Sequence, residues 1–493
     1  MPRNARESLS NGRTGRFFSK SGPKLLRDLL SLAGGQAVSM LVGFITFAYL
    51  ARQMAPEDYG MIELAISVAA FAAIVIECGA GTIGVRALAM QPDRAQTIAS
   101  QVPVARFIMA LFVLPAAFLL SHFANLTPAG QALLWVYIAS LIFAPLKQEW
   151  LLQGLEYMSL AALARPIRSL GFAAGVFLLV HPGTPLVTVG WIECATLALV
   201  SAYYVATQYA LRLPLRAGWP IRDALRFLRE GAAVGLSNML WAFMLYAPMM
   251  MLAVLADPVQ SAWLGAAQRL VISLLVLSFI YHFNLYPAIT RSLHRDLTAW
   301  DRVMRASVHV IGWGGILVAL TLTLFAHQIM SFVFGDAFAT AAPALICLAW
   351  AFPLRLLSGH ARWSLIAKNE QNHLLRAEIV GAAAMITIGI LTIPHLGAVG
   401  AALSFVGAIL TSAVLTQIAV NRKVGPLDIL SPCLVPAGAA LAALAIWVLW
   451  GMQPWGAVAG LGLYLAAALV RRGPLIADFV RVAYAKPHDD VSD

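Results

Sequence analysis

Residues 59–78 read YGMIELAISVAAFAAIVIEC. Apart from the carboxylates Glu63 and Glu77, the stretch is apolar or small. Twenty such residues in a helix span about 30 Å, the thickness of a bilayer's hydrocarbon core. Moving the same window along the chain finds further stretches of this kind. They cover 30–51, 59–78, 100–122, 131–152, 160–181, 186–211, 231–256 and 261–288, then 305–332, 341–366, 375–394, 396–420, 431–450 and 453–471. The fold class that follows is all-α: a polytopic membrane protein of about 14 transmembrane helices. Every connection is short, which leaves no room for a catalytic ectodomain.

Composition agrees. Of 493 residues, 60% are hydrophobic and 12% charged, against about 45–50% and about 25% in soluble domains. Too little polar surface remains to cover a water-exposed body of this length, so lipid must replace water. Cys78, Cys194, Cys347 and Cys433 fall in apolar stretches without paired spacing or a nearby His cluster. Neither a disulfide framework nor a metal site is expected, and no cofactor. The basic leader precedes an apolar stretch too long for a signal-peptide core, so a cleavable signal is not expected.

A net charge of +11 suggests nucleic acid at first sight, but its distribution points elsewhere. With the N-terminus placed inside, 26 of the 34 Lys and Arg fall in inner segments, seven lie within spans, and Arg52 alone lies outside. That asymmetry is the positive-inside rule. It predicts both termini in the cytoplasm, membrane lipid as the surroundings and no nucleic-acid partner.

A basic interruption at 212–229 (Arg212, Arg216, Arg222, Arg226, Arg229) divides the chain. Each half opens with a long span, a Pro-bearing outer turn and a Gly early in the next span: Pro56, Tyr59 and Gly60, then Asp257, Pro258 and Gly265. The predicted organisation is a basic tail at 1–28, a first lobe of six helices at 29–211 and the linker at 212–229. A second pseudo-symmetric lobe of six follows at 230–420, then a helix pair at 421–471 and a tail at 472–493. Internal repeats of this kind are common in secondary transporters, with the substrate site between them.

Several motifs mislead. Gly79-Ala-Gly81-Thr-Ile-Gly84 matches the dinucleotide fingerprint, but it follows a membrane span rather than a strand, so an inner turn is expected. Asn125-Leu-Thr127 is a sequon too short to carry weight. Glu57 and Asp58 occupy the first outer loop, where some membrane glycosyltransferases keep an acid, yet no outer domain is present to hold an acceptor. No catalytic residues are assigned.

Ionisable groups inside the spans are more informative. Each costs roughly 2.5–3.5 kcal/mol or more at the bilayer centre and therefore faces a cavity or a partner. Cations predominate: Arg106, Lys147, Arg165, Arg168, Arg269, Arg355 and Arg362, against the main acids Glu63, Glu77 and Glu193. Arg355 and Arg362, seven apart, share a helical face. Guanidinium forks suit phosphate oxygens and stay charged. Arg269, Arg355, Arg362 and Arg168 are therefore the candidates for lining an anion cavity, and Glu193 and Glu77 for ion coupling. The alternative is structural: Arg106 paired with Glu77, and Arg165 and Lys147 snorkelling to headgroups.

The stretch Tyr49-Leu-Ala-Arg52-Gln-Met-Ala-Pro56-Glu-Asp-Tyr59-Gly60 with Leu64-Ala65 resembles the first outer turn of Wzx-like polysaccharide flippases. These belong to the multidrug/oligosaccharidyl-lipid/polysaccharide superfamily. Gly79-Ala-Gly81 with Arg86-Ala-Leu-Ala89, Gly265-Ala-Ala-Gln-Arg269-Leu with Pro287, Phe332-Val-Phe-Gly335-Asp with Ala339 and Ala342, and Pro394-His-Leu-Gly397-Ala-Val-Gly400-Ala-Ala402 continue the likeness in order, from about residue 28 to 420. The resemblance implies two lobes in a V around a central cavity. It also implies transport of an undecaprenyl-pyrophosphate-linked oligosaccharide unit for O-antigen, capsule or exopolysaccharide synthesis, beside a polymerase and a chain-length regulator. The family has no invariant binding signature, so the arginine assignments rest on charge.

Three rival functions stand beside it. A cation-coupled drug exporter often carries a carboxylate in its first helix, and here Leu30 to Ala51 has none. A lipid II flippase shares the fold and the anionic substrate, but favours arginines in its first helices. A polymerase or ligase needs a large outer loop with Arg or His, and the connection at 327–341 contains no Arg.

Overall fold

The computed structural model describes residues 21–123, 126–213 and 221–471. The basic residues 1–20, Asn125 of the sequon, Arg216 of the linker and the tail 472–493 lie outside the described residues.

The first group of helices is α1 (Ser21–Gln53), α2 (Pro56–Glu77), α3 (Ala80–Met90), α4 (Ala95–Ser121), α5 (Pro128–Ser140), α6 (Glu149–Gly154), α7 (Met158–Leu179) and α8 (Val187–Ala210). The second is α9 (Ile221–Leu255), α10 (Pro258–Arg295), α11 (Leu297–Leu324), α12 (Ala326–Phe334), α13 (Ala342–Ala349), α14 (Ala351–Ala367), α15 (Gln371–Leu396) and α16 (Ala398–Lys423). A terminal pair, α17 (Leu430–Leu449) and α18 (Pro454–Val470), completes the order. No strand occurs among the described residues.

Thirteen stretches among the described residues are long and apolar enough to cross a membrane, and α18 is a shorter apolar helix. Large apolar side chains stand exposed on the outside, among them Leu111, Leu178, Leu391 and Leu441. Such a surface needs lipid rather than water. The protein is a multi-pass membrane protein.

Several boundaries move for local reasons. α9 starts ten residues before the predicted span, because Arg222, Arg226 and Glu230 are helical outside the apolar window, with Arg226 bonded to Glu230 one turn on. The break expected near Pro394 falls at Gly397, whose φ of 52° ends α15. The fourth span divides into α5, a 3-10 turn containing Pro145, and α6. Asp296, between α10 and α11, caps α11 by accepting from the Ala299 N–H at 2.6 Å. The Thr298 hydroxyl and that N–H hold its carboxyl below the usual range.

Within the first group α1 packs on α7, α5 on α8, and α2 on α4 and α5; within the second, α10 packs on α14, α9 on α15, and α15 on α16. The terminal pair rests on α11. α2 joins the groups by crossing from α10 at one end to α9 at the other. Glycines allow both approaches. A Cβ on Gly60 would lie 2.7 Å from the Pro258 carbonyl oxygen, and one on Gly235 2.7 Å from the Cys78 carbonyl.

Candidate functional site

The intramembrane charges fall into three places. About two turns into α2 from Pro56, the Glu63 carboxylate lies under Gly265 of α10 and accepts from Arg269 Nε at 2.5 Å. The Arg269 guanidinium also sits 3.1 Å above the Phe47 ring centroid, on α1, a cation–π arrangement. Arg168 on α7 pairs with Glu193 on α8. Tyr137 on α5, 2% exposed, lies within electrostatic reach of both pairs, and Tyr246 on α9 within reach of both arginines. Arg168 and Arg269, 101 positions apart in sequence, are thus gathered from both helix groups. The Arg168 side chain is 54% exposed while Glu193 is 9% exposed, so the cation borders open space and the anion sits beneath it.

The second place is at the Glu77 end of α2. Glu77 accepts from the Gly79 and Gly81 N–H groups, both at 2.8 Å, and from Arg106 at 3.3 Å. Of the dinucleotide-like glycines, Gly79 forms the turn between α2 and α3 with a φ of 72°, while Gly81 and Gly84 lie within α3. Arg106 also donates to the Lys147 carbonyl, Lys147 lies 3.7 Å from Glu149, and Arg165 bonds Glu149 at 3.0 Å. Glu77, Arg106, Lys147 and Glu149, with Arg86 and Trp241, border a cavity of about 760 Å³, and Arg165 is not on its wall. None of the four predicted anion-binding arginines lines that cavity.

The third place is on α14. Arg362 pairs with Glu378 of α15. Arg355, one heptad earlier, has no carboxylate partner among the described residues; the charges acting on it are those of Arg362 and Glu378. Glu378 was not singled out from sequence, although an acid three residues into the predicted span 375–394 was the available signal. Nor was the buried polar cluster beside Arg355 foreseen. His282 and His360, 78 residues apart, bring their ring centroids to 5.0 Å.

The alternatives left open at sequence level thus separate. Arg106 does pair with Glu77, and Arg165 and Lys147 share Glu149 rather than standing free. Among the described residues, no three His, Cys, Asp or Glu side chains gather in a way that would hold a metal ion.

Comparison with known proteins places the chain. The sequence model of the family described as "Polysaccharide biosynthesis protein" matches residues 25–293. A protein of Escherichia coli (strain K12) named "Putative O-antigen transporter" is 22% identical over 223 residues, 43% of this chain and 52% of that protein. The match therefore spans about half the length of that relative. Among solved structures, a lipid II flippase, MurJ, in an inward closed conformation superposes with a TM-score of 0.72 at 13% identity, covering 91% of this chain and 98% of that one. An inward-facing multidrug resistance MATE family transporter of the MOP superfamily superposes with a TM-score of 0.65 at 15% identity, covering 80% and 98%. At these identities the superpositions establish a shared all-helical transporter fold, and the match over more than half its length makes this chain a member of the polysaccharide biosynthesis protein family.

Proposed function

We propose that the protein carries undecaprenyl-pyrophosphate-linked oligosaccharide units across the bacterial inner membrane, from the cytoplasmic leaflet to the outer one, with both termini in the cytoplasm. The supporting observation is the convergence of Arg168 and Arg269 from the two helix groups around Tyr137 and Tyr246, with Arg168 half exposed. A guanidinium carries five N–H donors. Arg168 uses one of them on Glu193, so the others are free to meet pyrophosphate oxygens. Arg355 and Arg362 on α14 extend the cationic path, while the polyprenyl tail stays in lipid. Glu193 and Glu77 lie against cations, where protonation would loosen each pair and so link ion binding to transport.

Two lobes of six helices, 29–211 and 230–420, would alternate around α2, with the pair 421–471 on the flank. The polymerase and chain-length regulator of the same pathway are the expected partners downstream. No bond is made or broken in this scheme.

The test replaces Arg168 and Arg355 singly with Gln in the bacterium that makes the polymer. Each inserted variant should accumulate lipid-linked oligosaccharide facing the cytoplasm. Surface polymer should fall about tenfold, the effect of losing one charge-assisted contact of about 1.4 kcal/mol. Unchanged polymer after deletion of the whole gene would remove this substrate from consideration.

A further inference from the structure

The cavity at the Glu77 end of α2 takes its walls from both helix groups: α2, α3, α4 and α6 of the first, and α9 of the second. At about 760 Å³ it has the size of a small-molecule site, for which about 300–1,000 Å³ is usual. Its charges can be matched one by one. Glu77 is taken by the Gly79 and Gly81 N–H groups and by Arg106. Glu149 is taken by Lys147, Arg165 and Gln153. Two carboxylates thus stand against three cations bound to them.

Arg86, on α3, is a fourth cation. It is exposed on the cavity wall, and its side chain has neither an ion pair nor a hydrogen bond among the described residues. An arginine left over beside a cavity attracts an anion, and its planar fork suits a carboxylate held by two parallel N–H groups.

The neutral part of the wall indicates what carries that carboxylate. Trp241 of α9 lines the cavity and is 47% exposed. Asn238, one turn before it, and Thr82, one turn before Arg86, are exposed and also line the cavity. Neither side chain has a hydrogen-bond partner among the described residues. The face of an indole is negative, and the C–H groups on one side of a pyranose ring carry the complementary partial charge. Amide and hydroxyl groups both donate and accept, as sugar hydroxyls do. A phosphate ion would use the cation and leave the indole and the amide idle. A sugar bearing a carboxylate uses all four.

We propose that this cavity binds an acidic sugar of the uronic acid class, with its carboxylate on Arg86, its C–H face on Trp241 and its hydroxyls on Asn238 and Thr82. The binding site stands on its own walls; that the sugar is part of a lipid-linked oligosaccharide rests on the function proposed above. Ala73, where the cavity begins on α2, comes ten positions after Glu63, about 15 Å along the helix. A pyrophosphate beside Arg269 and a uronate beside Arg86 would then be separated by a short run of sugars. The chain would accept acidic repeat units in preference to neutral ones of the same length.

The test measures binding to the full chain in bilayer discs of phosphatidylcholine, by saturation-transfer NMR, with methyl glucuronide and methyl glucoside as probes. The two differ only in the carboxylate at the sixth carbon. Methyl glucuronide should bind at least tenfold more tightly. Arg86→Gln should abolish that preference, and Trp241→Leu should weaken both probes about tenfold. Both side chains are exposed, so neither exchange opens the core. Equal affinity for the two probes, or a preference that survives Arg86→Gln, would overturn the acidic-sugar site. Displacement of the glucuronide by an equal concentration of inorganic pyrophosphate would give the cavity to phosphate instead. Loss of glucuronide binding in discs containing phosphatidylglycerol would give Arg86 to lipid headgroups, and either result overturns the proposal. If the preference holds but deleting the gene leaves surface polymer unchanged, the sugar site stands and the transport reading fails. If deletion removes the polymer but the two probes bind alike, the transport reading stands and the sugar site fails.

Discussion

The two ends of α2 are both closed, but by different chemistry. Near Pro56 it meets α10 through Gly60 and Gly265, and a buried ion pair, Glu63 with Arg269, crosses the junction. Near Glu77 it meets α9 through bare backbone, with Gly79 set against Gly231 and Gly235. At that end Glu77 spends its oxygens within its own helix group, on Gly79, Gly81 and Arg106. The polar link across to α9 is Gln101 to Asp223 at 2.9 Å, from α4. An ion pair out of water resists separation, because parting it strands a charge on each side. Glycine backbones in contact lose only dispersion and a little buried area. The Glu77 end is therefore the one that parts more easily, and it borders the cavity.

The largest expected effect comes from breaking the ion-paired end. Arg269→Ala leaves Glu63, whose side chain is 7% exposed, as a buried uncompensated carboxylate. It should destabilise the protein by about 3–5 kcal/mol. Thermal unfolding in detergent would show this as a collapse of the transition. Adding Glu63→Gln to the same chain should restore most of the loss. A single substitution without such a loss would mean that the pair does not hold this end.

Gly235→Val should have an intermediate effect, about 1–3 kcal/mol of overpacking concentrated at the Glu77 end. Cys78 sits in that junction, so its alkylation rate in a chain whose other three cysteines are replaced should rise several-fold. Equal protection of Cys78 in both proteins would remove the glycine contact as the closure. The smallest effect belongs to Gln101→Leu, which forfeits one part-buried hydrogen bond to the exposed Asp223, about 0.5–1 kcal/mol. Its signature is a modest rise in Cys78 reactivity with little change in melting temperature.

Much of the architecture was legible because bilayer thickness imposes a length on every span. The pairing of Arg106 with Glu77 was also legible, both lying near the same predicted membrane face. The other partnerships were not. Glu63 and Arg269 are 206 positions apart, and nothing in either helix alone names the other. Arg355 and Arg362 share a helix face as their spacing implied, yet of the two only Arg362 finds an acid among the described residues, because α15 brings Glu378 to one turn of α14 and not to the preceding ones. The histidines looked scattered for the same reason, since a cluster contributed by α10, α11 and α14 has no linear signature. Helix packing, not periodicity, decides which buried charges meet.

The length of α10 has a mechanical consequence. From Pro258, at the contact with Gly60, to the internal Pro287, thirty residues of continuous helix make a rod of about 45 Å. Pivoting that rod by about 10° at the Gly60 contact carries its far end roughly 8 Å sideways, about the separation of two packed helices. Arg269 lies about 17 Å from the pivot and His282 about 36 Å, so the same rotation would move the first roughly 3 Å and the second roughly 6 Å.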